Sequence, residues 1–81
     1  MENNYTKKQA KKEIEELLKS HYGTFKIVDI DLSDTDFFYY SATVICKENH
    51  CVYWVRKDNF DDSVLMDLMT VYSASITERL N

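Results

Sequence analysis

Eighty-one residues make one domain without room for a second, and a hydrophobic fraction of 44% with eleven aromatics excludes an intrinsically disordered chain. The formal charge of −4 is uneven: residues 1–22 carry five lysines against four glutamates, whereas residues 23–81 carry ten acids, eight of them aspartates, against five bases. That balance disfavours nucleic acid and anionic membrane as partners and favours a basic protein surface.

There is no proline and one glycine, Gly23, so with few breakers most of the chain is expected in regular elements. Met1 is followed by "ENNYTKKQAKKE", which lacks the apolar core of a signal peptide, and no stretch is long enough to span a bilayer. The expected location is cytoplasmic, where Cys46 and Cys51 stay reduced.

The first predicted element is a helix over about 6–22. Thr6 as N-cap with Gln9 three residues later forms a capping box, and Tyr5 with Ala10 stands where a hydrophobic staple would be. Ala10, Ile14, Leu17, Leu18 and His21 recur at helical spacing and define a buried stripe, and Gly23 is placed as the residue that ends the helix with a positive φ. Three strands follow, over about 24–32, 37–46 and 51–57. In the first, Val28, Ile30 and Leu32 alternate with Phe25, Ile27, Asp29 and Asp31. "SDTD" (33–36) is turn chemistry. "DNFDDS" then supplies several N-caps with carboxylates in a first turn, opening a closing helix over about 60–80 that buries Leu65, Leu68, Met69, Tyr72, Ile76 and Leu80. The expected fold is therefore α+β, in the order α-β-β-β-α: a three-stranded antiparallel meander with two helices on one face.

Centring the second turn on Glu48–Asn49 sets Cys46 opposite Cys51, Val44 opposite Tyr53 and Ala42 opposite Val55. The face with Phe38, Tyr40, Ala42, Val44, Cys46, Cys51, Tyr53 and Val55 is assigned to the helices. The other face then carries Tyr39, Ile45, Val52 and Trp54, joined by Phe25 and Ile27 from the first strand. An apolar aromatic surface of that extent on the uncovered side of a two-layer domain marks a contact site for a partner or a second copy. The plainer alternatives are that the faces are reversed, or that aromatics pave a half-exposed sheet.

Catalytic and metal chemistry find little support. "CKENHC" has no zinc-ligand spacing and His50 points away from both cysteines, so two reduced core cysteines are expected, with a cross-strand disulfide as the alternative. His21 and His50 have no partner at dyad or triad spacing, and there is no phosphate-binding glycine loop or nucleophile motif. Asp29 and Asp31 share a strand face, but without a cleft-forming loop they read as a solvated edge. The expectation is a protein that is not an enzyme, with no cofactor and no metal.

The α-β-β-β-α order is also that of the double-stranded RNA-binding domain, whose last helix starts with lysines aimed at phosphates. Here the corresponding place holds Asp58, Asp61, Asp62 and Asp67, which repel such a ligand. The same acids are suited to a partner's basic groove, such as that of a nucleic-acid-binding protein, and are equally an ordinary solvated surface. In the capped helix "TKKQAKKEIEELLKSHYG", the three strands and the acid-rich "DNFDD", the chain resembles small phage-encoded inhibitors, including anti-CRISPR proteins built as acidic αβββα domains. That resemblance implies a non-enzymatic inhibitor of a protein partner. "LLKSHYGTFKIVDID", "YSATVICKEN" and "DNFDDSVLMDLM" are also similar to small Gram-positive surface lipoprotein domains of unassigned function. A homodimer through the open sheet face or the last helix is the alternative from another class.

Overall fold

The computed structural model describes residues 5–33 and 36–72. Their order is α-β-β-β-β: α1 (Lys7–Leu18), β1 (Phe25–Asp31), β2 (Phe38–Cys46), β3 (Cys51–Asp58) and β4 (Val64–Val71). The strands form one antiparallel sheet in the order β1-β2-β3-β4, with α1 packed on one face. The expected closing helix is thereby corrected to a fourth strand, and the three-stranded meander with two helices to a four-stranded sheet with one helix among the described residues. The part of that expected helix beyond Tyr72, with Ile76 and Leu80, lies outside the described residues.

The helix begins as its capping residues dictate. The Gln9 amide donates to Thr6 Oγ1 (3.1 Å) and the Thr6 amide donates to Gln9 Oε1 (2.9 Å), so both halves of the box are made. It stops at Leu18, earlier than 22, because the last turn tightens: the Ser20 and His21 amides donate to the Leu17 and Leu18 carbonyls, and Ser20 Oγ donates to Leu17 O. His21 therefore leaves the helical stripe and is exposed. Gly23 does hold a positive φ of 132°, but in the connection to β1 rather than directly after the helix.

Ala10, Ile14 and Leu18 of α1 meet Tyr40, Ala42 and Val44 of β2 and Val55 of β3 in the buried core. The β2–β3 register is the one expected, with Cys46 opposite Cys51, Val44 opposite Tyr53 and Ala42 opposite Val55. Asn49 Oδ1 accepts the Cys51 amide at 3.0 Å and His50 takes a φ of 56°, which closes a four-residue turn.

Three irregularities re-sort the faces. Between Ile27 and Asp29 the β1–β2 register shifts, so Val28 bulges and alternation slips by one residue. Phe25, Ile27, Ile30 and Leu32 then all pack toward the core, while Asp29 and Asp31 face away beside Thr43 and Ser41. A second shift at Tyr39 turns that ring to the helix side, against Tyr5, and sends Phe38 to the opposite face. A third, between Val52 and Tyr53, leaves Met69 of β4 as the extra residue. Phe25, Ile27 and Tyr39 are corrected accordingly: strict period-2 alternation put them on the open face, and the bulges remove them from it.

Candidate interaction surface

Trp54 stands on the face away from α1, cross-strand from Thr43 on one side and Asp67 on the other. The Phe38 ring meets it edge-on at 5.5 Å, and the Arg56 guanidinium lies 4.4 Å from its centroid. Arg56 Nη1 also reaches ion-pair distance of Asp67 Oδ2, yet Nε and Nη1 have no acceptor of hydrogen-bond geometry among the described residues. The contact with Asp67 is thus electrostatic rather than a formed fork, and it neutralises the single charge of β4.

Of the other residues expected here, Val52 and Trp54 are half-buried and Ile45 is buried, at 2% exposure, between Lys26 and Val52 of the adjacent strands. Ile45 belongs to the packed sheet. Tyr22, Val28 and Phe37 are exposed singly, whereas along β4 exposed apolar side chains follow one another. Leu65 is 38% exposed, Leu68 and Met69 58% and Val71 63%, with Phe60 in the preceding turn at 84%. Leu68 is on the helix side by its pairing with Tyr53 but stays outside the core cluster. β4 is also the end of the sheet, so its outer edge has no hydrogen-bonded strand among the described residues.

The acids before β4 build its turn. Asp58 Oδ1 accepts the Phe60 amide at 2.7 Å, and Asp61 Oδ1 accepts the Ser63 amide and hydroxyl at 3.0 and 2.6 Å. The Ser63 hydroxyl and amide hold the Asp61 carboxyl below the usual carboxylate range. Asp62 takes a φ of 61°, a conformation aspartate tolerates better than most residues. Asp58, Asp61 and Asp62 therefore do for a hairpin what they were expected to do for a helix start, and Asp62 remains exposed.

A polar cluster on the helix side carries no sequence signal. Glu13 accepts from Tyr5 (2.9 Å), Tyr40 (3.0 Å) and Lys57 (3.1 Å), while Lys57 Nζ also donates to the Tyr5 oxygen at 2.6 Å and lies over the Tyr5 ring. Partial burial pushes the Glu13 carboxyl up, but the three hydrogen bonds and the Lys57 charge outweigh it, so its pKa falls. The bond to Tyr5 leads the causes that raise Lys57, and burial followed by Glu13 raises Tyr40. All three shifts lead away from neutrality, which suits a clamp joining α1 to β2 and β3 rather than proton exchange near neutral pH. Its members at 5, 13, 40 and 57 come together through tertiary packing alone.

Among the described residues no group of three or more His, Cys, Asp or Glu side chains could hold a metal ion, and no helix is long and apolar enough to cross a membrane. No protein-family profile matches the chain, and comparison with curated proteins and with solved structures finds no match.

Proposed function

We propose that the protein is a small non-enzymatic binding module that regulates or inhibits a protein partner by laying the β4 edge, with Trp54 and Arg56 beside it, against that partner. The observation that carries this reading is the accessible apolar strand at the end of the sheet, Val64–Val71, with Leu65, Leu68, Met69 and Val71 exposed. Such a strand offers main-chain groups that pair with no other strand among the described residues, for affinity, and alternate side chains for selectivity, the two components of recognition by strand addition. The exposed carboxylate of Asp62 in the turn before β4 favours a basic residue at the matching end of the partner segment. The αβββα order shared with phage-encoded inhibitors is not the order of this fold, so only size and acidity carry that likeness. A reducing compartment such as the cytosol fits two free cysteines placed directly opposite each other.

Quantitative capture of partners from the native cell extract tests the reading. Leu68→Lys is expected to lower recovery of the partner by at least about tenfold, and Asp62→Asn by a few-fold. Tyr22→Ser, at a fully exposed position outside the surface, is expected to recover as much as wild type. Equal recovery by all four proteins sinks the proposal.

A further inference from the structure

The two edges of the sheet are protected to different degrees. β1 carries Lys26, Asp29 and Asp31 and a bulge at Val28, each of which hinders the docking of another strand. β4, "VLMDLMTV", carries one charge, Asp67, and Arg56 of the adjacent strand compensates it. Only the bulge at Met69 interrupts it, leaving Val64–Leu68 as a regular stretch whose midpoint is Met66.

We infer that β4 pairs antiparallel with β4 of a second copy about a two-fold axis at Met66, which joins the two sheets edge to edge. This rests on the reading of β4 as the contact edge and specifies its occupant. In that register Val64 faces Leu68 of the second copy, and Leu68 faces Val64, on either side of the central Met66 pair. Asp67 is set opposite Leu65 rather than opposite its own carboxylate, which avoids a like-charge pair across the junction. Antiparallel pairing also carries the two acidic turns to opposite ends of the joined strands. Eight residues of strand at 3.3 Å each separate Asp62 from its copy by roughly 25 Å, about three Debye lengths at physiological salt. A chain of net charge −4 thus meets itself along its least charged line. The two-fold closes the assembly, because each copy uses its β4 edge and leaves the charged β1 edges outermost.

Light scattering with size separation on the full chain at tens to hundreds of micromolar tests this. The expected result is a particle of twice the 9.6 kDa chain. Leu68→Lys should weaken self-association on the order of 100-fold, since it sets one ammonium per copy in the apolar row. Leu68→Thr, which keeps a strand-favouring residue, should weaken it less, and Val28→Lys on the β1 edge should leave it unchanged. Circular dichroism matching wild type confirms that each variant is folded. A monomeric wild type at the highest concentration overturns the inference, as does a dimer that survives both Leu68 variants or dissolves with Val28→Lys. A monomer whose partner capture still falls with Leu68→Lys overturns self-pairing alone and leaves the binding reading standing. A Leu68-dependent dimer whose partner capture is indifferent to Leu68→Lys overturns the binding reading and supports self-pairing.

Discussion

Glu13 shows how a charge at the rim of the core is held. Its two carboxylate oxygens accept from two phenols and an ammonium, and Tyr40, one of those phenols, is almost fully buried. Removing the acceptor would leave the buried hydroxyl unpaired, whereas Glu13→Gln keeps an acceptor and removes only the charge opposite Lys57. Because the folded carboxyl titrates below its ordinary 4.5, its contribution is complete above that value and is lost as pH falls through the lowered one. Wild type should therefore lose more stability than Glu13→Gln between neutrality and about pH 3, by no more than about 1 kcal/mol because the carboxylate is partly exposed. Urea midpoints at both pH values measure it, and identical pH dependence in the two proteins would refute the assignment. At this scale the sequence was most legible where partners are close along the chain. The Cys46–Cys51 register and the Thr6–Gln9 box follow from local turn and cap chemistry. Lys57, by contrast, is indistinguishable in sequence from a solvated strand lysine, because its partners lie on α1 and before it.

Among elements, the segment after Asp58 carries the main correction. Leu65, Leu68, Met69 and Tyr72 satisfy helical spacing, while Val64, Met66 and Leu68 equally satisfy alternation, and a short apolar run does not separate the two. The start signal was ambiguous for a physical reason: an aspartate that accepts the amide two residues on serves a turn as readily as a helix cap. Strand–strand pairing with β3 settles the choice in favour of the strand, since Met66 joins Val55 in the core from that geometry. The bulges at Val28, Tyr39 and Met69 were illegible because each is a one-residue slip with no glycine to announce it. The one glycine is informative. A Cβ on Gly23 would sit 2.8 Å from Cys46 Sγ and 3.0 Å from Glu48 Oε2, at a φ of 132° that side chains rarely adopt. Gly23→Ala should cost about 2 kcal/mol in urea unfolding. Adding Cys46→Ala relieves the sulfur contact but not the backbone, so the double variant should recover about 0.5–1 kcal/mol relative to additivity. Strict additivity would mean that the α1–β1 connection does not press on β2.

For the whole molecule, the sheet is asymmetric in two senses. One face is packed against α1, and the other presents Trp54 and Arg56 of β3. One edge is charged and bulged, and the other is apolar and accessible. Ile45, Phe25, Ile27 and Tyr39, expected on the open face, are committed to packing, and the proposed contact therefore rests on the exposed apolar side chains at the β4 margin. Trp54 remains beside it, held by Phe38 and Arg56.

The claim that β4 pairs with β4 of a second copy is tested most directly by amide hydrogen exchange of the intact chain, read along both edge strands across a hundredfold range of protein concentration. Exchange in Val64–Leu68 is expected to slow as concentration rises while exchange in β1 stays constant. Equal, concentration-independent exchange at both edges would contradict it.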